Sequence, residues 1–214
     1  MSLLLYIVLA TISTQIPVIK NLASLIDTAI HESGHVFAAF MTSGKAKSME
    51  LNADGSGSVT IQGGGTLGRI FFFSSGYTFS SFFSYLSLQL FDLKYYSAII
   101  FILAFFYLLA VLFFIEKFSF GFLWGIGVLS ILGYAYFYGG ETMIHHVVMF
   151  FVSLQVVYSF KASIEIFLVS LLMPHTESDV KQLKEVTYIP TVFWGVVFLL
   201  FGIFMFLSGI KFWL

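Results

Sequence analysis

Apolar residues fill seven long runs of this chain, at roughly 2–17, 19–42, 66–90, 95–115, 118–138, 142–160 and 190–213. Each is near the ~20 residues that a helix needs to cross the hydrocarbon of a bilayer, the first being short. Pro17 separates the first two runs and reads as the start of a helix. The stretch 161–173 is also apolar but holds Lys161 and Glu165, so it either extends the sixth helix or lies along the membrane surface. The pattern predicts an all-α polytopic membrane protein with six or seven transmembrane helices. One long polar interruption breaks it before residue 160. Between 43 and 65, the short alternating runs Ser48-Met49-Glu50-Leu51-Asn52 and Ser58-Val59-Thr60-Ile61-Gln62 flank Ala53-Asp54-Gly55-Ser56-Gly57. Alternation on both sides of an Asp-Gly turn predicts a β-hairpin. Gly63-Gly64-Gly65 then lets the chain return to the membrane; no Lys-Ser/Thr follows, so these glycines are not a phosphate loop.

Composition agrees with the membrane reading. The 214 residues are 59% hydrophobic and 10% charged, against about 25% charged in a soluble domain. The 28 Phe and 11 Tyr exceed what one soluble core needs. No polar stretch is long enough to stand alone and no repeat is visible, so residues 1–214 are expected to form a single membrane-embedded domain. Leu3 to Ala10 could pass for a signal peptide, but it lacks a basic flank and a cleavage site. It reads as a first helix that stays. A net charge of -1 gives no footing for a nucleic-acid partner. With no cysteine, any metal must be held by His, carboxylate or water.

Within the second run stands His31-Glu32-Ser33-Gly34-His35, the H-E-x-x-H arrangement of zinc peptidases. On a helix, positions i and i+4 share a face, so both imidazoles can address one ion. Zinc prefers four ligands in a tetrahedron, and a catalytic site uses three from the protein and leaves the fourth to water. Glu32 is then placed to take the proton as that water attacks a carbonyl. The plainer reading is two helix-packing histidines and a stray carboxylate, but an ionisable group in lipid surroundings is costly without a function. A third ligand must come from elsewhere. Asp179 lies between the sixth and seventh runs with His175 and Glu177 as neighbours, while His145 and His146 follow Gly139-Gly140-Glu141. His145 and His146 point about 100° apart on a helix and cannot both face one ion. Asp179 could instead cap the helix beginning at Val180, a role open also to Ser178. Residue chemistry alone leaves Asp179 and His175 as the leading candidates.

The regions 22–62 and 159–195 resemble the site-2-protease-like intramembrane zinc metalloproteases, in the compact branch without a PDZ domain. The first match runs from His31-Glu32-Ser33-Gly34-His35 through Ala38, Ala39 and Thr42-Ser43-Gly44-Lys45 to Glu50-Leu51-Asn52-Ala53-Asp54-Gly55-Ser56-Gly57. The second is Ser178-Asp179-Val180 with Thr187-Tyr188-Ile189-Pro190 and Trp194-Gly195; Gly76-Tyr77 adds a weaker match. The resemblance implies that Asp179 is the third ligand, beside His31 and His35, and that one Zn2+ is held per chain. The downstream motif departs from the Leu-Asp-Gly form, and no Asn-Pro motif occurs in the middle runs, which weakens any transfer of substrate class.

Two further expectations follow from position. Asp27 lies four residues before His31, on the same helix face, and is a candidate partner for the ring N–H of a metal-bound imidazole, unless it is merely a polar residue near the helix's aqueous end. The hairpin at 48–62 can offer an edge strand to an extended substrate, or serve as a plain connection. With seven spans, Lys45, Lys47, Lys117, Lys161, Lys181 and Lys184 share one side, and Lys20, Lys94 and Lys211 the other. The basic excess marks the first side as cytoplasmic, so the site is expected to open toward the cytosol.

The leading expectation is an intramembrane zinc endopeptidase, with Glu32 as general base, acting on membrane-protein substrates within or beside the lipid bilayer. A non-catalytic protein of the same fold that binds partner transmembrane segments is the alternative, but it has no use for Glu32. A zinc or proton transporter would want polar residues spread over several helices.

Overall fold

The structure is a computed structural model that describes residues 3–211. Ser2, Phe212 and Trp213, at the outer ends of the first and last apolar runs, lie outside the described residues. In chain order the elements are α1 (Leu3–Ser13), α2 (Pro17–Met41), β1 (Gly44–Leu51), β2 (Gly57–Gly63), α3 (Gly65–Asp92), α4 (Tyr96–Leu109), α5 (Phe120–Tyr138), α6 (Gly140–Leu172), α7 (Asp179–Thr187) and α8 (Thr191–Ile210). The last turn of α4 loosens into a π-helical turn, Ala110–Phe114. Pro17 is in the first turn of α2, where its missing N–H costs nothing. Ser119 caps α5 by accepting a hydrogen bond from the Phe122 amide at 3.2 Å. The fold is an all-α polytopic membrane bundle carrying one small hairpin.

Among the described residues, four helices are long and apolar enough to cross a membrane: α4 with its π turn, α5, α6 and α8. A fifth span is obtained if α1 and α2, bent by 119° at their junction, count as one. This is fewer than the six or seven expected, for two reasons. At 11 residues α1 is too short to cross alone. The long helices α2 and α3 carry the buried polar side chains that build the site, among them Asp27, Glu32, Ser75 and Ser80, and these dilute their apolarity. The stretch 161–173 does extend the sixth helix. Over 33 residues, α6 reaches about 50 Å, with Lys161 and Glu165 paired at 2.8 Å along one face. Lys161 is therefore a helix residue rather than a loop residue.

The hairpin forms where expected, in antiparallel register from Gly44↔Gly63 to Leu51↔Gly57, with an irregularity between Ala46 and Ser48 that leaves Lys47 as the extra residue. Its turn is closed by the Asn52 amide donating to Ser56 O and by the Ser56 amide donating to Asp54 Oδ1, both at 2.9 Å. Gly55 has φ 90°, the left-handed region that favours glycine. The hairpin is not a free solvent loop but packs along α2, with Thr28 Oγ1 donating to Gly55 O at 2.9 Å. On its other side, Met49 forms a parallel bridge with Ile115.

Small residues bring α8 against α6. Gly195 and Gly202 of α8 face Ser170 and Ser163 of α6, and a methyl group built on either glycine would stand 2.7 Å from the facing serine Cβ. Close approach of this kind is how membrane helices gain packing without a hydrophobic drive. Gly202→Leu is expected to cost about 1–3 kcal/mol by overpacking. It should lower the midpoint of thermal unfolding in detergent; an unchanged midpoint would show that this contact does not hold the pair together.

Candidate metal centre

The site is assembled from α2, α3, α7 and the hairpin. The i, i+4 spacing puts His31 and His35 on one face of α2, with their Nε2 atoms 3.1 Å apart. Asp179, the first residue of α7, closes the group, its Oδ2 lying 3.4 Å from His31 Nε2 and 3.3 Å from His35 Nε2. Ser178 takes the N-cap position of α7, which leaves the Asp179 carboxylate free to turn inward. Val180 and Leu183 are buried in the cluster that holds Ile166 and Phe198 and clamp α7 in place. Burial opposes the charge on Asp179, but the imidazoles of His35 and His31 hold its carboxyl well below the ordinary aspartate range.

The three atoms are spaced as the ligands of a tetrahedral ion would be. Bonds of about 2.0–2.1 Å to nitrogen and oxygen place ligands about 3.3 Å apart in a tetrahedron, and two imidazole nitrogens with one carboxylate oxygen form a donor set that zinc accepts. Among the described residues this is the group of three with the chemistry to hold a metal ion.

The helix α3 backs the two imidazoles. Its approach to α2 is close because Gly34 has no side chain: a methyl there would stand 2.6 Å from Phe79 Cβ and 3.0 Å from Ser75 O. His35 Nδ1–H donates to Phe72 O at 2.8 Å, and Ser75 Oγ–H donates to the same carbonyl at 2.6 Å. That bond orients the ring so that Nε2 faces the ligand cluster. Phe72 also stacks on the His35 ring at 4.6 Å, and Tyr77 meets the His31 ring edge-on at 4.5 Å. A side chain on Gly76 would collide with both Nε2 atoms.

Glu32 is 5% exposed and lines a cavity of about 360 Å³ together with His31, His35, Asp179 and the β2 residues Gly57 to Val59. Gly57 allows the strand to touch it, since a methyl there would stand 2.9 Å from Glu32 Oε1. Among the described residues no group hydrogen-bonds the Glu32 carboxylate, so it can serve a molecule in the cavity.

The other sequence candidates fall elsewhere. His175 is exposed in the loop between α6 and α7 and is not part of the cluster. Glu177 lines the mouth of the cavity and is paired with Lys181. His145 and His146 pack against Tyr96 and Tyr6 and are not part of the cluster. Asp27 does not hydrogen-bond His31. It accepts from Ser80 of α3 and from Gln155 Nε2 of α6 at 2.8 Å, tying three helices together. Nothing in the sequence marks the Phe72 carbonyl, Ser80 or Gln155, because backbone acceptors and long-range polar partners leave no spacing signal. Nor does the sequence mark Gly57 as the neighbour of Glu32.

The sequence model of a family described as Peptidase M50B-like matches residues 4–209, nearly the whole chain. No curated protein and no solved structure matches it.

Proposed function

The chain belongs to the Peptidase M50B-like family, and on that premise we propose that this membrane metalloprotease is a zinc endopeptidase cutting membrane-protein substrates within or beside the bilayer. Residues 1–214 act as one membrane-embedded domain. The observation that carries the reading is the convergence of His31 Nε2, His35 Nε2 and Asp179 Oδ2, all within 4.8 Å of one another, beside the free Glu32 carboxylate. Those three side chains would hold one zinc ion, which when bound polarises the scissile carbonyl and makes the attacking water more acidic. Glu32 accepts the proton of that water and returns it to the leaving nitrogen. Phe72 O and Ser75 keep His35 aimed while the charge changes.

The hairpin supports a peptide substrate. In the two-stranded sheet β2 pairs with β1 on one side only, and its residues Gly57 to Val59 line the cavity. An extended substrate can pair with the other edge of β2, which holds a main chain straight whatever its sequence. A membrane helix must be unwound before its carbonyls are open to attack, so such an edge suits the task. The basic residues Lys45, Lys47, Lys117, Lys181 and Lys184 in the polar segments around the site support an opening toward the cytosol.

Zinc stoichiometry of the detergent-purified protein beside its Asp179→Ala variant tests the site. Wild-type protein is expected to hold about one zinc per chain and the variant to lose it, since two ligands cannot complete the set. Equal zinc in both would reject this ligand set.

A further inference from the structure

We propose that Tyr77 is a catalytic residue whose hydroxyl hydrogen-bonds the substrate oxygen that becomes negative as the carbonyl is attacked. The proposal rests on the metalloprotease reading above and adds a group to it. Tyr77 of α3 stands between the ligand cluster and α8. Its ring meets His31 edge-on at 4.5 Å and stacks on Phe198 at 5.1 Å, and the side chain lines the same cavity as Glu32 and Asp179. Phenylalanine would make both ring contacts equally well. The hydroxyl is what remains to be explained. Among the described residues it has no hydrogen-bond partner, yet it is not among the sealed, unsatisfied polar atoms, so it keeps access to open space.

The chemistry at the cluster calls for such a donor. When water adds to the scissile carbonyl, a carbon–oxygen bond forms, the water proton passes to Glu32, and the carbonyl π pair moves onto its oxygen. Collapse re-forms the carbonyl, breaks the carbon–nitrogen bond and delivers the Glu32 proton to the nitrogen. A neutral donor fixed beside the oxygen stabilises the charged stage more than the substrate. The other side-chain donors around the cavity are engaged or open to water. Ser178 Oγ donates to Thr176 O, Gln182 Nε2 donates to Glu177, and Ser58 is exposed on β2. Glu32 lies against Gly57 of the hairpin while Tyr77 lies against Phe198 of α8. Base and donor thus flank the ligand atoms from different elements.

The test is a titration of zinc-loaded wild-type and Tyr77→Phe protein with a phosphonate dipeptide analogue, an anionic tetrahedral probe, alongside zinc content for both. The phenyl ring preserves the contacts with His31 and Phe198, so zinc content is expected to match. The phosphonate is expected to bind the variant at least tenfold more weakly. On a membrane reporter that the wild type cuts, kcat should fall about 10²–10³-fold with KM unchanged. Equal phosphonate affinity, or no binding by zinc-loaded wild type, would overturn the role of Tyr77 and leave the metal site standing. Wild-type protein that holds no zinc would overturn the metalloprotease reading and the role of Tyr77 with it.

Discussion

Glu32→Gln is expected to abolish peptide hydrolysis while zinc stays bound. The substitution keeps the shape of the side chain, so the contact with Gly57 and the packing of the hairpin on α2 survive. It removes the one property the reaction needs, a group that can take a proton and give it back. A positioned general base contributes about 10²–10⁴-fold in rate, and among the described residues no second carboxylate lining or backing the cavity is free to substitute. Asp179 is committed to the cluster, Asp27 is held by Ser80 and Gln155, and Glu177 is paired with Lys181. The measurement is cleavage of a co-reconstituted membrane reporter that the wild type cuts, with zinc content determined on the same preparations. Activity within tenfold of wild type would mean that another group abstracts the proton.

Gly76→Ala should empty the metal site with the fold intact. The added methyl would stand 2.6 Å from His35 Nε2 and closer still to His31 Nε2, the atoms that would meet the ion in the proposed site. Either the rings turn away, breaking the bond from His35 Nδ1 to Phe72 O, or α3 withdraws from α2. Both movements part atoms that now sit 3.1–3.4 Å from one another. Losing a mere orienting partner weakens metal affinity about 10–100-fold, and displacing the ligands themselves is expected to cost at least as much. Zinc retained after dialysis reads the effect, with far-ultraviolet circular dichroism as the check on helix content. Zinc affinity within threefold of wild type would show that the rings have room that the structure denies them.

These two residues differ in how far the sequence revealed them. Glu32 is legible from spacing alone, because helix geometry is local and i, i+4 places the histidines whatever the rest of the chain does. The hairpin was equally legible, from alternation about an Asp-Gly turn. Gly76 stood out only by resemblance, since the space it leaves is occupied by side chains from another helix. The count of spans shows the limit of apolarity as a guide. α2 and α3 are helices of 25 and 28 residues, but their buried serines and carboxylates serve the interior of the bundle.

The sequence by itself determined the membrane class, the H-E-x-x-H motif and the hairpin, all properties of composition or of residues a few positions apart. The tertiary structure decided what depends on distant segments meeting. It set Asp179 against both imidazoles and left His175 exposed in its loop. It turned Asp27 toward Ser80 and Gln155 rather than toward His31, and laid β2 against Glu32. The physical reason is that the reach of a side chain along one helix is fixed by its pitch. Which helix faces it is fixed by packing, here through the glycines and serines that let α2, α3, α6 and α8 approach.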